Sequence, residues 1–405
     1  MPLPPILVFA DDLTGAAEIA GIGFAHGLTT ALMLDANAEA PEAQLVVFDT
    51  NSRLLPPAEA ADRVAALLSR QPAGLRKLVF KKIDSVMRGP LAAELEAALG
   101  ALGRRGALLC PCNPSKGRII RQGRYSVGGQ ALHRSEFARD PQYPARSDSV
   151  LALLGNSLLP AKSLSPGSVS ALAERGLFVA DADSAGQVQA WAECLDSGLL
   201  PAGGADFFGA FLAKLGLHPL PPVSPPRPEG AQLLLSGTLS RSSVTARNEA
   251  QRAGAPLAMA PEGIASPDIT VCAKARAIWC SETEELLARH GRAIVCSSGF
   301  ACDDRSVARR VRDSFSFLAW SLHGKRSFGH LLAEGGDIAS GAAETLGWKQ
   351  CFVQGNWAPG VVCLRPQHNS QILFTLKPGS YPWPPEIWAL LGAGKDRGRE
   401  SGARS

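Results

Sequence analysis

Three features of the sequence predict an α/β protein of two domains, each a mainly parallel or mixed sheet flanked by helices. Short β-branched runs alternate with helical stretches in both halves of the chain. A segment with six prolines, residues 217–230, interrupts that rhythm. The chain has 405 residues, 46% of them hydrophobic, enough to bury more than one core.

The first half sets the pattern. Ile6–Ala10 reads as a strand and Thr14–Gly27 as the helix after it. Leu45–Thr50 is followed by a helix over Ala58–Arg70, and Lys77–Asp84 by a helix over Leu91–Leu102. In that last helix Leu91, Leu95, Ala98 and Leu102 form one apolar stripe, and Gly103 stands where a C-cap belongs. Ala107–Cys112 is another buried strand. Pro111–Pro144 is different: rich in Gly, Arg, Pro and Asn, with weak periodicity, the kind of connection that is functional or mobile. The alternation resumes with Gly176–Ser184 and a helix near Gln187–Cys194.

The proline run favours an extended chain and excludes a helix, so it reads as a linker. Beyond it, residues 231–237, 293–299 and 330–336 are strands that each end in small residues. The expected organisation is therefore an N-terminal domain over 1–216, a linker over 217–230, a C-terminal domain over 231–392, and a disordered tail over 393–405 that is almost devoid of apolar residues.

Composition narrows the function classes. The net charge is +4, part of it from Lys395, Arg397, Arg399 and Arg404 in the tail, so no general pull toward nucleic acid is expected. No window approaches 18 uncharged apolar residues, so no membrane partner is expected. The first twelve residues lack a basic region and end on two aspartates, which reads as a strand and not as a signal peptide. The nine cysteines are scattered, with Cys110 and Cys112 the one close pair and no histidine cluster beside them. Free thiols in a reducing cytoplasm are expected.

In open parallel sheets, ligands bind beyond the C-terminal ends of the strands. The first strand is followed by Asp11, Asp12, Leu13, Thr14 and Gly15. Asp12 or Thr14 could cap the next helix, but two adjacent carboxylates exceed what a cap needs and suit a metal or a general base. After the second strand come Thr50, Asn51, Ser52 and Arg53, and after the third come Asp84, Ser85, Arg88 and Gly89. Arginine's planar fork suits a carboxylate or phosphate. Lys81 and Lys82 lie within the third strand, where alternation predicts one facing inward and one outward, with Asp84 as the nearby partner. In the second half the strand ends read Ser236-Gly237-Thr238-Leu239-Ser240, Ser297-Ser298-Gly299 and Glu334-Gly335-Gly336-Asp337. One such turn is commonly a tight turn and nothing more; three together favour an anion such as a nucleotide phosphate. The P-loop, Rossmann, serine-hydrolase and HExxH zinc signatures are absent from the sequence.

Three of these motifs resemble the four-carbon acid sugar kinases: Ala10-Asp11-Asp12-Leu13-Thr14-Gly15-Ala16, Lys82-Ile83-Asp84-Ser85 with Arg88-Gly89, and Gly335-Gly336-Asp337. The resemblance runs from about residue 6 to residue 385. It implies an N-terminal domain that binds a four-carbon sugar acid, a C-terminal domain that binds ATP, Mg²⁺ as cofactor, and phosphorylation of the terminal C4 hydroxyl. It leaves a homodimer open. It also draws in a proline-rich loop with Gly117 and Arg118, and places Gly237, Ser240, Ser297, Ser298, Gly335, Gly336, Asp337, Gly360, Lys377 and Gly379 at the nucleotide. Departures are Val86 and Ile338, where the family usually has threonine, and Pro378 within the late lysine–glycine turn.

Chemistry suggests roles for these positions. Phosphoryl transfer needs in-line positioning, charge neutralisation and an acceptor for the hydroxyl proton. Asp12 is the preferred base, with Asp84 second. Arg53 or Arg88 would clamp the substrate carboxylate, Lys82 or Lys377 would neutralise the transferring phosphate, and Asp337 would hold Mg²⁺. Asp11, Thr14, Ser85, Gly117 and Arg118 complete the expected substrate contacts. Two other readings stand beside this one: an aldolase or dehydratase that uses a strand-end lysine, and a sugar-acid or nucleotide binder without turnover.

Overall fold

The computed structural model describes residues 3–139, 143–238, 240–297 and 304–392. Contacts divide the chain into two units. One holds the residues up to Val223 together with Lys349–Pro359; the other holds Ser224–Trp348 and continues from Gly360.

The first unit begins β1 (Ile6–Ala10), α1 (Leu13–Ala25), β2 (Thr30–Met33), β3 (Leu45–Asp49) and α2 (Pro57–Arg70). It continues β4 (Leu78–Lys82), α3 (Leu91–Leu102) and β5 (Gly106–Cys110). The segment expected to lack periodicity forms β6 (Arg118–Arg121), β7 (Arg124–Val127) and β8 (Gln130–Ala131), a small antiparallel sheet of its own. Then follow α4 (Val150–Leu154), β9 (Ala161–Leu164), β10 (Gly176–Ala180), α5 (Ala185–Glu193), β11 (Leu199–Gly203) and α6 (Ala205–Lys214).

The second unit runs β12 (Gln232–Ser236), α7 (Arg241–Arg252), β13 (Leu257–Met259), α8 (Ile269–His290), β14 (Arg292–Cys296), α9 (Arg305–Gly324), β15 (His330–Glu334) and α10 (Gly336–Thr345). The chain then returns to the first unit as β16 (Gln350–Ala358), which pairs antiparallel with β2. It re-enters the second unit as β17 (Val361–Pro366), β18 (Leu373–Lys377) and α11 (Pro385–Leu390). The span 231–392, expected as one domain, is thus interrupted, because the free edge of β2 takes up a late strand as its hydrogen-bond partner.

In the first unit the strand order is β16-β2-β3-β1-β4-β11-β5-β10-β9, parallel throughout except at β16. Helices cover both faces, so the central strands are apolar without alternation: Ile6–Ala10 and Leu45–Phe48 are buried throughout. On one face α6 packs Phe207, Phe208 and Phe211 onto Phe80, with ring centroids 5.0–6.0 Å apart. In the second unit the order is β13-β14-β12-β15-β18-β17, and only the β17–β18 pair is antiparallel. Its helical layer closes on Trp279 against Phe315 at 4.9 Å.

The strand orders place the sites. In the first unit β1 lies between β3 and β4: its own connection runs to one side, to β2, and the crossover from β3 to β4 passes to the other, so a crevice opens at its C-terminal end. The second unit has the same switch at β12, between β14 and β15. Residues 217–230 carry no helix or strand; Leu220 N–H donates to Ala25 O at 2.8 Å, tying the start of the run to the end of α1. The tail expected over 393–405 lies outside the described residues.

Candidate active site

The switch point of the first unit gathers a charged cluster from three strand ends. Arg53, after β3, donates through Nε to Asp11 and through a terminal nitrogen to Asp12, both at 2.6 Å, and lies 3.7 Å from Asp84. Asp84, after β4, receives Arg88 through two hydrogen bonds at 2.8 and 2.9 Å, together with the backbone N–H groups of Val86 and Arg88. Asn51 and Met87 adopt left-handed backbone (φ 45° and 61°), a cost that folded proteins concentrate at functional sites. Gly89 has φ 100°, a conformation that residues with a side chain rarely adopt, so glycine suits this turn beside Asp11.

Asp12 serves two masters. It is the N-cap of α1, accepting from Gly15 N–H at 3.0 Å and from the Thr14 hydroxyl, and it is also an ion-pair partner of Arg53. Burial raises its pKa, but Arg53, the Thr14 hydroxyl and Lys82 outweigh that and hold the carboxyl below its ordinary value. At Asp84 burial is again opposed, by Arg88 and Arg53, and the carboxyl is held well below the usual range. Side-chain exposures of 1% for Asp11, 6% for Asp84 and 19% for Asp12 make Asp12 the carboxylate most open to a ligand. Asp11 Oδ1 is buried with no hydrogen-bond partner among the described residues.

Both strand lysines are buried, which corrects the expectation that one faces outward, and neither takes Asp84 as its ion-pair partner among the described residues. Lys81 pairs with Glu94 of α3 at 3.0 Å, over the ring of Phe9. Lys82 projects toward α1, where its amine donates to Ile83 O at 2.8 Å and lies 3.8 Å from Glu18. A Cβ on Gly15 would come within 2.7 Å of Asp12 Oδ1 and 3.3 Å of Lys82 Nζ, so the helix start must be bare to sit between them. Alternation still sends one lysine to each face, but β4 is covered on both faces, so neither is exposed.

The segment after β5 closes over this cluster. Lys116 reaches Glu18 at 2.6 Å, Gly117 turns the chain at φ 65°, and Arg118 donates to the Ser85 hydroxyl. Tyr125 of β7 donates to Ser85 O.

The second unit carries its own cluster, buried rather than open. Glu334, ending β15, pairs with Lys377 at 2.5 Å and accepts from the hydroxyls of Ser236 and Ser243. Arg247 donates to the Ser236 hydroxyl at 2.8 Å and to Thr238 O at 2.9 Å. Burial pulls the Lys377 amine below its ordinary pKa despite Glu334. Ser240 caps α7 and donates to Gly379 O at 3.0 Å, while Gly335 N–H donates to Lys377 O at 3.0 Å, so two of the expected strand-end turns, after β12 and β15, meet the late lysine–glycine turn. Gly237 lies against Ile338, the residue that departs from the family's threonine; a Cβ there would be 3.0 Å from its side chain. Gly360 opens β17 beside Tyr381, and Ser297 is buried after β14. Asp337 is exposed in the first turn of α10, 3.4 Å from Arg312. Ser298 lies outside the described residues.

Glu18, Asp49, Lys116, Arg247 and Glu334 were not singled out as site residues from sequence. A signal existed for Arg247: Ser240, Ser243 and Arg247 recur at helical spacing on one face of α7. Asp49 ends β3 and accepts from Asn51 N–H at 2.8 Å. Burial, with Asp12 and Asp11 nearby, pushes its carboxyl up to about 7 against that hydrogen bond.

Two α/β units each gather charged and hydroxyl side chains at a sheet switch point, where sheets of this class bind their ligands. The family model for the sugar-binding N-terminal domain matches residues 6–210. A D-threonate kinase from Cupriavidus necator is 30% identical over 381 residues, covering 88% of this chain and 89% of its own. A 3-oxo-tetronate kinase from Pseudomonas fluorescens is 26% identical over 419 residues, covering 94% and 95%. The crystal structure of the putative tRNA synthase from Salmonella typhimurium LT2 shares the fold, with a TM-score of 0.78 at 20% identity over 96% of this chain and 98% of that one. The chain belongs to the four-carbon acid sugar kinase family.

Proposed function

We propose that this protein is an ATP-dependent kinase acting on the terminal C4 hydroxyl of a four-carbon sugar acid of the threonate, erythronate or 3-oxo-tetronate type. The observation that carries the reading is the carboxylate–arginine cluster at the β1 switch point, within the span matched by the sugar-binding family model. Asp11 Oδ1 is a buried acceptor without a partner among the described residues, which a substrate hydroxyl would satisfy. Asp12, ionised and the most open carboxylate, orients the reacting hydroxyl and accepts its proton. A loose phosphoryl-transfer transition state asks little of a base, so a low pKa is no obstacle. Asp84, saturated by Arg88 and two backbone donors, acts as an anchor. Arg53 and Arg88 are both engaged by aspartates, whereas no carboxylate among the described residues pairs with Arg118. Arg118 is therefore the better clamp for the substrate carboxylate.

The second unit's residues fit nucleotide phosphates. Gly335, φ 91°, stands at the N-cap of α10 and offers no side-chain cap, so the first-turn N–H groups are left for an anion. Gly336, Ser240 and Gly379 stand beside that start. Asp337 is an exposed carboxylate in the same turn; Mg²⁺ held mainly by phosphates and water needs only one or two such ligands. ATP with Mg²⁺ would supply the γ-phosphoryl group, and Lys82 would counter the charge on it. The proposed setting is the cytoplasm, which supplies ATP; no helix of the described residues is long and apolar enough to cross a membrane.

A coupled ADP-release assay with Mg²⁺ and a panel of four-carbon acids tests this. Turnover of at least one acid, dependent on ATP, is expected. Acid consumption without ATP would replace the kinase with a lyase, and nucleotide binding without turnover would leave a binding protein.

A further inference from the structure

The segment between β8 and α4 carries an aromatic ring that neither the motifs nor the proposed mechanism uses. Phe137 lies on the short 3₁₀ turn Glu136–Arg139. Its backbone is pinned on both sides: its N–H donates to Ser135 Oγ at 3.3 Å, and its carbonyl accepts from Ala145 N–H at 2.9 Å. Two guanidinium carbons approach the one ring, that of Arg118 at 5.3 Å from the centroid and that of Arg88 at 5.9 Å. Both are within reach of a cation–π attraction.

These two arginines are also held by adjacent residues of one loop. Arg88 is bound by the Asp84 carboxylate, and Arg118 by the hydroxyl of Ser85. The two partners differ in what they leave behind. A carboxylate cancels the charge it binds. A hydroxyl and a ring face attract a guanidinium without cancelling it, so the cation keeps its charge for an incoming anion. The ring is half-buried and, with Arg88 and Gly89, lines a cavity of about 610 Å³, a size that takes a small molecule. It is therefore not a core ring that happens to lie near two cations.

We infer that Phe137 is a positioning residue for carboxylate recognition: its ring holds Arg118 beside Ser85, charged and ready for the substrate's carboxylate, while it steadies Arg88 on Asp84. The inference rests on the proposed sugar-acid reading and deepens it, since it names which end of the substrate this part of the unit reads.

The test uses the full chain and the best acid from the panel. Phe137→Leu removes the ring and keeps an apolar side chain. It should raise KM for the acid about three- to thirtyfold, the span of one cation–π contact, with kcat and KM for ATP changed less than about twofold. Phe137→Tyr keeps a ring face and should recover most of the loss. The same comparison with the neutral amide of the acid should show no penalty for Phe137→Leu, because no carboxylate is left to recognise. An unchanged KM for Phe137→Leu, an equal loss on acid and amide, or a Phe137→Tyr protein as impaired as Phe137→Leu would each overturn the inference. If the leucine variant does not fold, Phe137→Met carries the same comparison. If the wild-type protein turns over no four-carbon acid, the underlying reading fails and takes the inference with it; if it does and Phe137→Leu matches it, the inference fails alone.

Discussion

Asp49 offers a prediction whose size follows from its surroundings. The residue is buried at the end of β3, near Asp11 and Asp12, and its carboxyl is pushed from 3.8 up to about 7. A raised pKa means that the folded state holds the proton more tightly than the unfolded chain. The stability associated with that proton is fully present below about pH 4 and is lost as pH rises through about 7. A gap of about three pH units, at about 1.36 kcal/mol each, amounts to roughly 4 kcal/mol. That is a large part of the 5–15 kcal/mol that separates folded from unfolded proteins. Asp49→Asn keeps the acceptor for Asn51 N–H and cannot ionise. It should match the wild-type protein near pH 4 and become progressively more stable than it toward pH 8. Urea unfolding of both proteins at intervals between pH 4.5 and 8 measures the difference directly. A difference that stays flat across this range, or one that favours the wild type at high pH, would refute the reasoning.

Two further outcomes are expected. Asp12→Asn preserves the cap on α1, so α1 should persist, but it weakens a pair with Arg53 and removes the proposed base; kcat for ADP release should fall about 10²–10⁴-fold at saturating substrates, and near-wild-type turnover would remove Asp12 from the mechanism. Lys377→Met strands the fully buried Glu334 and should cost about 3–5 kcal/mol in thermal or urea unfolding, most of it recovered in the double variant with Glu334→Gln; a single variant as stable as the wild type would show that the pair carries no structural weight.

Much of the fold could be read along the chain. The runs Ile6–Ala10, Leu45–Asp49 and Leu78–Lys82 are strands as their composition predicts, and Leu91–Leu102 is a helix ended by left-handed Gly103. Less was legible after β5. β6, β7 and β8 are four, four and two residues long, too short for a period to emerge from a polar background. The strand β16 carries no mark of the sheet it joins, because the edge it completes belongs to β2, more than three hundred residues earlier.

The sequence by itself determined which strand-end residues gather at the first switch point. Parallel strands end in loops, loops at a switch point face a ligand, and the residues in those loops are adjacent in the chain, so Asp11, Asp12, Arg53, Asp84 and Arg88 could be named without coordinates. Tertiary structure decided who pairs with whom. Arg53 reaches Asp11 across 42 residues, Lys81 takes Glu94 and leaves Lys82 to Glu18, and Glu334 closes on Lys377. Periodicity and turn chemistry are local and leave a trace in the residue order. Ion pairing depends on distance through space, and in a strand covered on both faces alternation still sends one lysine to each face but no longer exposes either.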